Sequence, residues 1–195
     1  KHAIRVADKN YPNLAIIHNN LGIALFTKQK NEEAISHYKV AIKLNPDFAK
    51  AYNNLGNALL DKGRISEAIS HYKTAIGLKP DYALAHYILG FALVAEGKNE
   101  EAISHYKMAI KLKPDYADAY NNLGNALVAE GKNEEAIPHY KMAIKIKPNH
   151  ADAYNNLGAV LLSIKKTERV DLNSHLVMRN RFANPSFPLQ SSPKV

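Results

Sequence analysis

Four prolines, Pro46, Pro80, Pro114 and Pro148, stand 34 residues apart, and no other feature restricts this chain so tightly. At matching offsets lie Leu21, Leu55, Leu89, Leu123 and Leu157, each followed by a glycine: Gly22, Gly56, Gly90, Gly124 and Gly158. Alanines recur in the same way at Ala34, Ala68, Ala102 and Ala136, and at Ala41, Ala75, Ala109 and Ala143. A unit this short cannot bury both faces of its own elements. The period therefore predicts a stack in which each unit supplies core to the next.

Within a unit the apolar spacing is helical. The first half places Tyr120, Leu123 and Leu127 at i, i+3 and i+7, and the second places Ala136, Ile137, Tyr140, Ala143 and Ile144 on one stripe. These predict two amphipathic helices per unit, A and then B. Gly63, Gly97 and Gly131 supply a stop after helix A, and the periodic prolines end helix B. The recurring glycines and alanines mark places where helices approach closely. Pro138 is expected near the start of its B helix, where a missing amide is tolerated.

The order aromatic-x-x-Leu-Gly-x-x-large, then Ala-x-x-x-aromatic, then Pro is carried by Tyr52, Leu55, Gly56, Leu59, Ala68, Tyr72, Ala75 and Pro80. At this period it resembles the tetratricopeptide repeat (TPR) family. The resemblance implies an all-α, right-handed superhelical solenoid of antiparallel helix pairs. It covers four full repeats over 15–150, namely 15–48, 49–82, 83–116 and 117–150. Departures are mild: the family's usual tryptophan is Tyr52, Tyr120 and Tyr154, or His18 and His86. Pro12 falls one period before Pro46, so residues 1–14 read as the second helix of a truncated preceding repeat. Residues 151–182 read as a partial fifth repeat, with an A helix to Ile164 and then a short capping helix around Val170, Ser174 and Val177. Residues 183–195, with three prolines and three serines, are expected to be a disordered tail.

Composition removes several function classes. The chain has no cysteine, which excludes disulfides, thiolate chemistry and cysteine-ligated zinc and is compatible with a reducing compartment such as the cytoplasm. No run approaches the roughly 18 apolar residues of a membrane span. Of the net charge of +8, residues 15–150 carry only +3, from 17 basic and 14 acidic residues, so the excess is spread; within that span lysines recur along helix B, among them Lys39, Lys73, Lys107 and Lys141. They read as a solvated face favoured by the helix dipole and not as a nucleic-acid channel, because groove aromatics and cations do not interleave with them. His37, His71, His105 and His139 recur too, but equivalent atoms one repeat apart are separated by about 10 Å, whereas metal ligands lie about 2 Å from a shared ion. No metal, cofactor or catalytic constellation is expected.

Adjacent asparagines in a helix need a reason beyond propensity, because their side chains compete for backbone groups. The TPR resemblance implies a concave groove lined by positions 2, 5, 6, 9, 12 and 13 of each A helix. Those positions hold Asn19, Asn20, Asn53, Asn54, Asn57, Asn121, Asn122, Asn125, Asn155 and Asn156. Asn54, Asn122 and Asn156 at position 6, with Asn20, resemble the asparagine ladder of the O-linked N-acetylglucosamine transferase repeats, which implies amides that hold the main chain of an extended peptide. The competing explanation is that the amides bond to neighbouring helices. In the third repeat the ladder gives way to Leu84, Tyr87, Ile88 and Phe91, with Val94 and Ala95, an apolar notch between amide-rich flanks. The carboxylate clamp of chaperone-tail adaptors is not reproduced: its positions hold Asn19, Ile23, Asn54, Leu84 and Ile88, of which only Asn54 matches.

The expected function is a non-catalytic protein-interaction scaffold that takes an extended peptide or a partner helix in its groove. The alternative is the substrate-recruiting part of a larger enzyme such as a glycosyltransferase, and an assembly chaperone for a membrane complex is a third reading. Self-association through exposed terminal helices is the other contact that the pattern allows.

Overall fold

The computed structural model describes residues 13–183, and these are helical apart from short turns. Nine helices follow in order among the described residues: α1 (Leu14–Thr27), α2 (Asn31–Leu44), α3 (Ala49–Asp61), α4 (Ile65–Leu78), α5 (Ala83–Ala95), α6 (Asn99–Leu112), α7 (Ala117–Ala129), α8 (Asn133–Ile146) and α9 (Ala151–Ala183). The odd-numbered helices are the A helices and the even-numbered ones the B helices. Each packs on its chain neighbours, and each A helix through α7 is followed by a B partner. The expectations for residues 1–12 and 184–195 lie outside the described residues.

Every A-to-B turn is closed in the same way. Gly63 N–H donates to Leu60 O and Arg64 N–H to Leu59 O, both at 2.9 Å. This crossed pair of bonds satisfies carbonyls that the helix end would otherwise orphan, and it requires a left-handed residue between them. Gly63, Gly97 and Gly131 take that conformation at φ 71°, 75° and 72°, and Gln29 takes it in the first repeat at φ 59°.

Close approach inside a repeat is set by a glycine on helix A and a tyrosine on helix B. A Cβ added to Gly22, Gly56, Gly90 or Gly124 would lie 2.5 to 2.7 Å from Cε1 of Tyr38, Tyr72, Tyr106 or Tyr140. The four tyrosine rings are fully buried and make a column through the stack with Leu55, Leu59, Leu89, Leu93, Leu123 and Leu127. Each repeat thus contributes one large aromatic ring, and the small residue opposite is what lets it in.

Two expectations differ from the structure. Helix α9 does not stop at Ile164 to begin a separate capping helix; it runs unbroken from Ala151 to Ala183, 33 residues in all. The reason begins at Lys165, which stands where Gly63, Gly97 and Gly131 stand in the other repeats. Gln29 takes the left-handed turn in the first repeat, where Ala34 and Tyr38 pack helix B back on helix A, but the fifth repeat has Val170 and Ser174 at those positions, and the helix runs on. Pro138 lies inside α8, past its first turn, so the helix forgoes one internal hydrogen bond there.

Candidate functional site

The adjacent asparagines divide into two roles. Those at position 5 of the first, second and fourth repeats are buried: Asn19, Asn53 and Asn121 are all nearly inaccessible, and Asn53 is only 1% exposed. Those at position 6 reach back to them. Asn54 Nδ2 donates to Asn19 Oδ1 at 2.9 Å, and Asn156 Nδ2 donates to Asn121 Oδ1 at 3.0 Å. In the third repeat position 5 is Tyr87, whose hydroxyl takes the place of the asparagine carbonyl and accepts from Asn122 Nδ2 at 3.2 Å. Burial raises the Tyr87 pKa, so this oxygen is a neutral acceptor. The ladder is therefore first a device that ties each A helix to the next.

The tie is broken once. Ile88 occupies position 6 after Asn53, has no donor to offer, and leaves Asn53 Oδ1 buried without a hydrogen-bond partner among the described residues. Ile88 and Tyr87 are half-buried and pack against the core. Beside them Leu84 and Phe91 stay open to solvent at 41% and 52%, and Val94 is exposed with them. Of the expected notch residues, the structure puts these outward and turns Tyr87 and Ile88 partly inward.

Position 9 carries a second kind of tether. Tyr72 donates its hydroxyl hydrogen to Asn57 Oδ1 at 2.9 Å, and Tyr140 does the same to Asn125 Oδ1 at 2.9 Å. Asn125 Oδ1 also accepts from Asn156 Nδ2 at 2.9 Å. With its oxygen held, Asn57 keeps Nδ2 uncommitted among the described residues, while Asn54, whose Nδ2 is held, keeps Oδ1 uncommitted. One donor and one acceptor thus stand three residues apart on one helical face, which suits the C=O and N–H that a single residue of an extended chain presents to the same side. Asn20 and Asn155 are exposed, and Asn20 accepts only a long 3.4 Å contact from Asn19.

Sequence reasoning missed the tyrosine tethers and a pairing of histidines inside single repeats. His18 and His37 approach with Nδ1 to Nδ1 at 2.9 Å, and His86 and His105 at 3.0 Å. His86 Nε2 lies 3.1 Å from Pro80 O, so it carries the hydrogen, its Nδ1 accepts, and His105 Nδ1–H donates. Burial lowers the pKa of both His86 and His105, and each is further disfavoured or supported by neighbours: Pro80 O favours His86, whereas His86 and Lys73 oppose and Glu101 favours charge on His105. In the second and fourth repeats Tyr52 and Tyr120 face His71 and His139 instead. The available signal was the spacing of His18 to His86 and Tyr52 to Tyr120, twice the basic period. No cluster of three or more metal-binding side chains occurs among the described residues, and no described helix is long and apolar enough to cross a membrane.

Comparison with known proteins places this geometry. The TPR repeat family matches at residues 24–63, 56–96, 92–131 and 124–164. The fold is similar to that of MamA, at 29% identity and a TM-score of 0.74 over 92% of this chain and 100% of that one. It is also similar to YrrB, described as a TPR protein with an unusual peptide-binding site, at 26% identity and a TM-score of 0.71 over 84% of each chain. The first TPR domain of Spaghetti (RPAP3), bound to the HSP90 peptide SRMEEVD, matches at 26% identity and a TM-score of 0.59 over 60% of this chain and 93% of that one. No protein of curated function matches by sequence. The chain belongs to the tetratricopeptide repeat family, and its architecture is that of a protein-interaction scaffold.

Proposed function

We propose that the concave face of this scaffold binds an extended peptide, with Asn54 and Asn57 engaging its main chain and Leu84, Phe91 and Val94 receiving an apolar side chain. The observation that carries the reading is the pair of tethers on α3. Asn19 fixes the amide of Asn54, and Tyr72 fixes the carbonyl of Asn57, leaving the complementary atoms uncommitted. Two side chains fixed before binding lose little rotamer freedom on contact, which favours recognition over a mobile polar surface. Asn121 and Asn19 act by positioning Asn156 and Asn54, since burial removes them, like Asn53, from contact with a ligand.

YrrB and the Spaghetti domain are described with peptides, which supports a peptide over a nucleic acid. An acidic chain terminus of the HSP90 type is not the ligand favoured here, because Ile23, Leu84 and Ile88 bring apolar surface where that resemblance calls for polar and basic groups. Asp118, at a groove position of α7, stands 3.2 Å from the buried His150 Nε2, a contact that ties α7 to the start of α9, and the reading is that the protein acts by binding.

Calorimetry with a matched pair of peptides, with and without one large apolar side chain, tests the proposal. Phe91→Asn should weaken the anchored peptide about ten-fold and leave the other nearly unchanged. Equal weakening of both would make the notch structural and end the specificity claim.

A further inference from the structure

The open apolar surface of the groove is not confined to the third repeat. In α1, Ile16 and Ile23 are exposed at 46% and 41%, and they hold the same repeat positions as Leu84 and Phe91. The repeat between them offers Lys50 and Asn57 at those two positions, with Asn54 between them on α3. Lys50 is exposed and makes no ion pair among the described residues. The groove therefore alternates: an apolar patch, an amide and cation segment, then a second apolar patch.

Helices α1 and α3 touch directly, as the bond from Asn54 on α3 to Asn19 on α1 requires, and α5 follows α3 by the same repeat. Packed helix axes lie roughly 8 to 10 Å apart, so patches two repeats apart are separated by about 16 to 20 Å. An extended chain advances about 3.3 Å per residue, and its side chains alternate between faces. Roughly five or six residues cover the distance, and only an even number returns a side chain to the same face.

We infer that the ligand is an extended peptide with two large apolar side chains six residues apart, i and i+6, and an acidic residue between them on the same face. One anchor sits against Ile16 and Ile23, the other against Leu84 and Phe91. Asn54 and Asn57 hold the main chain between, and Lys50 meets the carboxylate. This rests on the groove reading above and adds its register, length and charge.

The test uses short blocked peptides of serine and glycine with one aspartate at i+2. They carry leucines at i and i+6, leucines at i and i+5, or a single leucine, and binding is read by fluorescence anisotropy. The i, i+6 peptide should bind about ten-fold more tightly than the single-leucine peptide. The i, i+5 peptide should gain little, because its second leucine points away. Ile23→Asn and Phe91→Asn should each erase the gain while the circular dichroism melt stays cooperative. If the peptides bind but the i, i+5 spacing equals i, i+6, the two-anchor register is wrong and the groove reading survives. If none binds, the groove reading falls and takes this inference with it.

Discussion

Asn54 on α3 donates its side-chain amide to Asn19 on α1 at 2.9 Å, and the next residue position along the stack has no such bond. Asn53 is as buried as Asn19, yet Ile88 faces it and its carbonyl is unpartnered among the described residues. Two chemically identical side chains thus contribute with opposite sign. Asn53→Leu replaces an orphaned polar group by an apolar one of similar size and should stabilise the fold by about 1 kcal/mol. Asn19→Leu removes an acceptor and should destabilise it by about 1 kcal/mol. Denaturant melts of both variants decide this, and shifts of the same sign would show that the ladder bonds carry no net stability.

The glycine and tyrosine columns make a second contrast. Gly90→Ala would put a methyl carbon 2.7 Å from Tyr106 Cε1, and the ring has no room to retreat. Overpacking of this kind costs about 1 to 3 kcal/mol, and Gly90→Leu should cost at least as much. Gly158 in α9 holds the same repeat position, but nothing lies within 4 Å of its added Cβ. Gly158→Ala should therefore be neutral or stabilise by up to about 1 kcal/mol through helix propensity. Thermal melts of the two alanine variants should move apart. Equal destabilisation would mean that the contact with Tyr106 is not what selects glycine.

Acid should loosen the stack through its histidines. Burial lowers the pKa of His71, His86, His105 and His139 below the ordinary histidine value of 6.5. The unfolded chain therefore takes up protons first as pH falls. The stability these groups contribute is complete above pH 6.5 and is lost below it, toward their folded values. At His86 the added proton would also sit on Nδ1, facing His105 Nδ1–H. The melting temperature should thus fall between pH 7.5 and pH 5.5, and His86→Tyr, which copies the residue of the second and fourth repeats, should reduce the fall. A drop of the same size in this variant would assign the acid sensitivity elsewhere.

Much of the fold was legible because its determinants are local and repeated. Pro46, Gly63 and Tyr72 each fix one event in a unit, and the period multiplies it. The run of α9 past Ile164 was not foreseen, since it depends on what is missing, a glycine at Lys165 and the alanine and tyrosine that Val170 and Ser174 replace, rather than on a periodic apolar signal. The candidate site was legible only in outline. Asn53 and Asn54 are neighbours in sequence, but a helix turns successive side chains by about 100°, so one enters the interface between A helices while the other remains at its edge. That partition depends on how closely α3 approaches α1 and α5. It is a property of packing that spacing alone does not carry.

Chemical-shift mapping tests the central claim, that ligands occupy the concave face, most directly. Isotopically labelled protein is titrated with the i, i+6 leucine peptide. The side-chain amide of Asn57 and the backbone amides around Leu84 and Phe91 should shift in step with binding. Lys107 and Met108, exposed on helix α6, should stay in place. Shifts confined to α2, α4, α6 and α8, with Asn57 and Phe91 unmoved, would contradict the account and place the binding surface on the opposite side of the solenoid.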